Sequence, residues 1–402
     1  MERNSPHLLP ENPVGEPKVE FLQNPALEHV PVLDGIRGLA VGLVLIVHGY
    51  NRGPDLNFPD SAQGHFLDQL LRFGWTGVEL FFVLSGFLVT SILIENKRAG
   101  KPLRIFYARR VARIMPAYFA AFSGVAALSF VSIGPLVDPV TADARENWVF
   151  YALALNNYFG WLGIDASQAS KALGPLWSVA SEEQYYLLWP VLIHALSMDR
   201  LKYALPALLA VNIAARVCAL EAGVSPNDVY VASITHLDGI IIGSMMAIHR
   251  EAAVSLLRHH AAWLLLAVGG VLAVFLFFAG DIDAGHRPIQ IYGYPLIAVF
   301  YSLLIVHAMN GGIATRWLSS TPLRTLGKYS YFIYLSHWPA MLVLDHVVPG
   351  EGALVWLLYL GCLTAGLVFL ASISWKFFEY PIIRMVRKRE SRLMPVAARA
   401  ER

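Results

Sequence analysis

Arg37 and His48 stand eleven residues apart in LDGIRGLAVGLVLIVHGY, residues 33–50, an otherwise largely apolar run. On a helix, eleven residues make about three turns, so the two fall nearly on one face, roughly 16 Å apart along the axis. An imidazole takes a proton from a hydroxyl near neutral pH. A guanidinium fork matches phosphate oxygens. The plainer alternative is that Arg37 snorkels to an interface and His48 ends a helix. In the next apolar run, Glu79 lies within GWTGVELFFVLSGF, residues 74–87. There it must be protonated, paired or facing water. Its neighbours Gly77 and Ser85–Gly86 permit close helix approach. Arg110 and Arg113 share a face at i, i+3 of a basic amphipathic segment that opens at Arg104. They suit phosphate groups or anionic lipid. Ser178, Glu182, Tyr185, Tyr186 and Trp189 recur at helical spacing in GPLWSVASEEQYYLLW, residues 174–189, with Glu183 about 100° off that face. This density of hydroxyls and rings suits a sugar-binding wall better than a helix cap alone. His236, Asp238, Tyr334 and His337 add further polar groups inside apolar runs, where a helix–helix hydrogen bond is the plain alternative.

The elements that must position these residues follow from composition. Of 402 residues, 56% are hydrophobic and 15% charged, against about a quarter charged in soluble domains. A net charge of +2 gives no electrostatic footprint for nucleic acid, so DNA and RNA are excluded as partners. Apolar runs near 20 residues recur, long enough to cross a hydrocarbon core of about 30 Å. The expected fold class is an all-α polytopic membrane protein. Eleven segments qualify: 33–50, 75–95, 116–133, 147–160, 176–198, 201–220, 228–249, 261–280, 290–309, 329–348 and 353–375. Lys and Arg crowd 95–113, 199–202, 249–260, 311–328 and 376–402, which hold 22 of the 31 basic residues. The positive-inside rule makes these cytoplasmic. An even number of crossings must then separate 95–113 from 199–202. The weakest candidate there is 147–160, short and interrupted by Asn156 and Asn157, and it is expected to be re-entrant or interfacial. About ten transmembrane helices remain, with both termini cytoplasmic. The expected organisation is a disordered tail over 1–30, a membrane domain over 31–380 and a basic tail over 381–402. Residues 1–30 lack the features of a signal peptide. Cys218 and Cys362 both lie in apolar runs and indicate no disulfide framework. No His, Cys and Asp spacing forms a closed metal set. On this topology His48, Glu79, Glu182, Glu183, His236 and Asp238 fall in the outer half, and Arg37, Arg110 and Arg113 in the inner half. That polarity implies a donor entering from the cytoplasm and an acceptor from outside.

These motifs, in this order, resemble the integral membrane acyltransferase 3 family over about residues 30–385. The carriers are Arg37 and His48 as Arg-x10-His, Phe81–Phe87 as FFVLSGF, Arg110 and Arg113 as Arg-x-x-Arg, Pro175–Tyr186, and Tyr334–Pro339. Departures are Ala180 for a serine, Ser181 for the apolar residue after it, Tyr185 for the usual Phe and Ser336 for an aromatic. The resemblance implies O-acylation of polysaccharide, lipopolysaccharide, peptidoglycan or similar acceptors in a bacterial inner membrane. It implies acyl-CoA, with acetyl the family default, as co-substrate and no bound cofactor. Arg37, Arg110 and Arg113 would hold the donor's phosphates. His48 would be general base, oriented by Glu182 or Glu79. Ser178, Glu183, Tyr186, His236, Asp238 and His337 would serve the acceptor or support the site. Transfer is expected to be direct, with an acyl-enzyme as the mechanistic alternative. An appended SGNH hydrolase-like domain, which some members carry, is not expected. Expected partners are acyl-CoA, a carbohydrate or glycolipid acceptor and membrane lipid, with oligomeric state left open. The rival class is a proton-coupled transporter, whose broken, repeated halves the sequence does not display.

Overall fold

The computed structural model describes residues 30–128, 146–164, 173–249, 260–345 and 347–393. The expectations for residues 1–29, for the end of the 116–133 segment, for the basic residues of 250–259 and for residues 394–402 lie outside the described residues. Among the described residues fifteen α-helices run in chain order: α1 Pro31–Arg52, α2 Ala62–Arg72, α3 Gly77–Arg98, α4 Leu103–Leu128, α5 Trp148–Ala152, α6 Leu176–Ala195, α7 Met198–Glu221 and α8 Pro226–Val231, then α9 Asp238–Ile248, α10 Ala261–Ala279, α11 Tyr294–Met309, α12 Ile313–Leu318, α13 Thr321–Leu344, α14 Ala353–Ser374 and α15 Tyr380–Leu393. There is no strand among the described residues. The chain is an all-helical integral membrane protein, as expected.

Six helical stretches among the described residues are long and apolar enough to cross a membrane: Pro31–Arg52, Ala62–Arg98, Met198–Glu221, Ala261–Ala279, Ile289–Met309 and Ala353–Arg389. Helices α4, α6 and α13 have the length of a span at 26, 20 and 24 residues. They also carry the polar residues singled out above: Arg110 and Arg113, Glu182 and Glu183, Tyr334 and His337. Helix ends follow local chemistry. Pro31 and Pro226 sit in first turns, where a missing N–H costs nothing. Ser61, Ser197 and Ser225 each accept an otherwise orphaned backbone N–H at a helix start.

The segment expected to span the membrane over 228–249 is helical only in pieces. Helix α8 ends at Val231, a short 3₁₀ turn covers Ser233–Thr235, and α9 starts at Asp238. The break leaves carbonyls and an N–H without helical partners, and buried side chains supply them. Arg216 donates to the Thr235 carbonyl at 2.8 Å. Asn212 donates to Ile234 at 2.8 Å and accepts from the Leu237 N–H at 3.2 Å. Irregular backbone at membrane depth survives only when protein satisfies it in this way. Residues 147–160 behave alike. Their longest helix is α5, of five residues, followed by a 3₁₀ turn at Asn156–Tyr158. Gln184 donates to the Ala154 carbonyl at 2.7 Å, and Tyr118 to Tyr151 at 2.7 Å. No described piece of this segment is long enough to cross a membrane, in keeping with its short, Asn-interrupted sequence.

Two helix pairs approach especially closely, and both do so through glycine. Helices α1 and α13 meet where Gly38 faces the backbone of Leu323 and Gly327 faces that of Asp34. Helices α3 and α9 meet where Gly86 faces Ile240 and Gly243 faces Val83. A Cβ at any of these would run into a carbonyl oxygen. The first crossing brings His48 beside His337, and the second brings Glu79 beside His236.

Candidate active site

Two cavities lie along the helices. The larger, of about 730 Å³, is lined by Arg37, Arg109, Arg110, Arg113, Arg324, Lys328 and Arg387, against the acids Asp34 and Glu182. A cavity with that excess of cations favours an anionic ligand, and arginine forks favour phosphate. Helix α15, within the stretch expected to be a tail, closes part of it through Tyr380, Ile383, Val386 and Arg387. The smaller cavity, of about 310 Å³, is lined by His48, with Asn51, Arg72, Asn156, Asp228 and Asp283 and the rings of Trp75, Trp177 and Trp338. Val78 and Tyr334 line both cavities, so the two adjoin at the wall they form.

The larger cavity collects all three residues expected to bind the donor, Arg37, Arg110 and Arg113. Arg37 is paired to Asp34 at 2.6 Å, one turn back along α1. The Arg110 guanidinium lies over the Tyr186 ring, 5.0 Å from its centroid. Ser85 donates to Glu182 Oε1 at 2.6 Å and Tyr186 donates to Oε2 at 3.3 Å. Glu182 therefore sits among the arginines and not beside His48. It lies six residues into α6, about 9 Å along the axis from the helix start. The Ser178 and Tyr334 hydroxyls lie 2.6 Å apart at the dividing wall. Ser178, Glu182 and Tyr186 thus share one helix face, as their spacing predicts, but that face lines the arginine cavity. Glu183, off that face, lines neither cavity.

In the smaller cavity, His48 Nδ1 lies 2.8 Å from His337 Nε2, and His337 Nδ1 lies 2.7 Å from the Tyr334 carbonyl oxygen. The ring planes of the two histidines differ by 4° with centroids 5.0 Å apart. The N···N separation plus the two ring radii accounts for that distance, so the rings lie end to end in one plane. Trp338 meets His48 edge-on at 4.7 Å, and the Arg52 guanidinium lies 5.3 Å from the Trp338 ring centroid. Glu182 and Glu79, expected to orient His48, instead meet Ser85 and His236, and the group on His48 Nδ1 is His337.

Glu79, His236 and Asp238 are brought together elsewhere. His236 Nε2 pairs with Glu79, and His236 Nδ1 donates to the Tyr230 carbonyl at 2.6 Å. Asp238 accepts both terminal nitrogens of Arg216, at 2.6 and 2.9 Å. All four side chains are fully buried and line neither cavity. They bind the broken segment to α3 and α7. The sequence reading missed Arg216, although an arginine inside the apolar run 201–220 was signal enough. It also missed the polar lining of the smaller cavity, because Arg72, Asn156, Asp228 and Asp283 come from segments far apart in sequence. Among the described residues, no group of His, Cys, Asp and Glu side chains is placed to hold a metal.

The family model described as "Acyltransferase domain" matches residues 30–375. A Bacillus subtilis protein named "Putative peptidoglycan O-acetyltransferase YrhL" is 29% identical over 381 residues, covering 88% of this chain and 55% of its own length. "Peptidoglycan O-acetyltransferase OatA" of Listeria monocytogenes is 27% identical over 376 residues, covering 88% and 56%. "O-acetyltransferase OatA" of Staphylococcus aureus is 28% identical over 391 residues, covering 91% and 58%. The chain thus spans a little over half the length of these curated relatives. No solved structure matches.

Proposed function

The chain belongs to this acyltransferase family, and on that footing we propose that it moves an acetyl group from acetyl-CoA to a hydroxyl of a cell-surface glycan, with His48 as general base. One observation carries the reading: a cation-lined cavity and a histidine-bearing cavity meet at Val78 and Tyr334. The donor's phosphates lie against Arg110, Arg113 and Arg37, at the end of the protein with the basic loops, and the positive-inside rule supports reading that end as cytoplasmic. Its thioester arm runs past Ser85 and Tyr186 toward Tyr334. The acceptor sugar enters the smaller cavity, where Trp177 and Trp338 offer ring faces and Asn156, Asp228 and Asp283 offer hydrogen-bonding groups. The names of the relatives point to peptidoglycan as the acceptor.

The chemistry is a direct acyl transfer. His48 takes the proton of the acceptor hydroxyl as its oxygen attacks the thioester carbonyl. Ser178 Oγ donates to the Pro175 carbonyl at 3.0 Å and so serves to hold the Tyr334 hydroxyl, 2.6 Å away, which donates to the carbonyl oxygen as it gains charge. The C–S bond breaks, and the imidazolium returns the proton to the departing thiolate. Holding donor and acceptor on two sides of one wall supplies the proximity that the reaction needs.

The test uses inverted membrane vesicles from the native host, given radiolabelled acetyl-CoA, followed by mass spectrometry of the labelled surface material. The expected product is an acetyl ester on glycan. His48→Ala, at unchanged membrane level, is expected to abolish it. Full activity in that variant would overturn the assignment of the base, and no acetyl ester from the unaltered protein would overturn the reaction.

A further inference from the structure

A carbonyl oxygen can only accept a hydrogen bond. His337 Nδ1, 2.7 Å from the Tyr334 carbonyl oxygen, must therefore carry a proton. The His337 side chain is fully buried. Its two nitrogens face a backbone carbonyl and another imidazole, neither of which carries negative charge. A buried cation there would be uncompensated, so the ring is neutral. A neutral imidazole with hydrogen on Nδ1 has its lone pair on Nε2. That lone pair lies 2.8 Å from His48 Nδ1 and in the plane of both rings. His48 Nδ1 must then donate, which leaves the His48 lone pair on Nε2. His337 lines neither cavity, whereas His48 lines the smaller one. The free nitrogen is thus on the ring edge turned away from the buried partner.

We infer that His337 is a positioning residue: a hydrogen-bond relay from the Tyr334 carbonyl through His337 fixes the tautomer of His48, so that Nε2 receives the acceptor's proton. The inference rests on His48 being the base proposed above. The relay also holds after proton transfer. An imidazolium at His48 still donates from Nδ1 to His337, so the ring keeps its orientation while it passes the proton to the thiolate. A carboxylate normally fills this place behind a catalytic histidine. Here a neutral imidazole fills it, with its own tautomer set by main chain.

The test compares His337→Phe, His337→Gln and His48→Ala in the same vesicle assay, varying radiolabelled acetyl-CoA. Phenylalanine keeps the ring and burial but has no acceptor for His48. Its maximal rate per enzyme molecule is expected to fall roughly 10²- to 10⁴-fold, the scale of a wrongly held catalytic histidine, with the KM for acetyl-CoA unchanged. Glutamine restores both roles: its amide oxygen accepts from His48 and its amide N–H donates to Tyr334. It is expected to recover to within about tenfold of the unaltered rate, on the scale of supporting-group losses. A merely structural role would not give this split between rate and KM, nor rescue by an amide. If the phenylalanine variant fails to accumulate, His337→Met, which also lacks a strong acceptor, is read the same way. Unaltered rates in the apolar variant, or a glutamine variant no faster than it, would overturn the relay. If His48→Ala is fully active, the base assignment falls instead; if only His48→Ala is inactive, the relay alone falls.

Discussion

Two histidines in this protein use the same local device and do different work. His236 and His337 each donate from Nδ1 to the carbonyl of a nearby tyrosine, Tyr230 at 2.6 Å and Tyr334 at 2.7 Å. Both are fully buried. What differs is the group on Nε2. His236 meets the carboxylate of Glu79, with Arg216 and Asp238 paired close by, and the whole set is sealed from both cavities. His337 meets His48, which opens onto a cavity. A closed set of paired polar groups holds helices together. A chain of neutral rings ending at a cavity leaves a lone pair for chemistry. Burial alone would have made the two histidines look alike.

Four experiments break or sharpen this contrast. The largest effect is expected at the open end. His48→Gln should lower acetyl transfer by at least ~10³-fold, as loss of a catalytic base does, with the unfolding midpoint in detergent unchanged. A large loss of stability there would blur the distinction. At the sealed end the effect should be on folding. Arg216→Met leaves Asp238 charged and unpartnered, so unfolding free energy should drop by about 3–5 kcal/mol. Adding Asp238→Leu should recover most of that loss, because the pair is replaced by apolar packing. Transfer per folded molecule should stay near normal in the double variant. A catalytic collapse with stability intact would move this cluster into the active site. At the donor end, Arg110→Ala should raise the KM for acetyl-CoA about tenfold, the scale of one charge-assisted hydrogen bond, and leave the maximal rate alone. An unchanged KM would count against the phosphate site. The smallest effect is expected at Ser178→Ala. Losing the hydroxyl that holds Tyr334 should lower the rate by roughly fivefold, about 1 kcal/mol, measured at saturating donor.

Several of these residues were legible from spacing. Arg110 and Arg113 at i, i+3 share the larger cavity, as do Ser178, Glu182 and Tyr186 at four-residue steps, because helical periodicity is local. The weakness of 147–160 as a span was legible from its length and its two asparagines. Other features were not. The break between Val231 and Asp238 follows an apolar pattern that reads as a continuous helix. Side chains that include Asn212 and Arg216, from another helix, make an unwound backbone tolerable there. Glu182 falls in the arginine cavity because Ser85 and Tyr186 meet it there. No periodicity rule places a residue of α6 against one of α3.

The sequence by itself determined that the chain is helical and membrane-bound, which faces gather arginines, and which family it joins. These follow from hydropathy and from spacings of a few residues. Tertiary structure alone decided which polar groups meet. His48 and His337 are separated by 289 residues and touch because α1 and α13 cross closely at Gly38 and Gly327. Glu79 and His236 are separated by 157 residues and touch because α3 and α9 do the same at Gly86 and Gly243. The physical reason is that a buried polar group must find a partner, and which partner is in reach depends on how helices cross, not on the order of residues along either one.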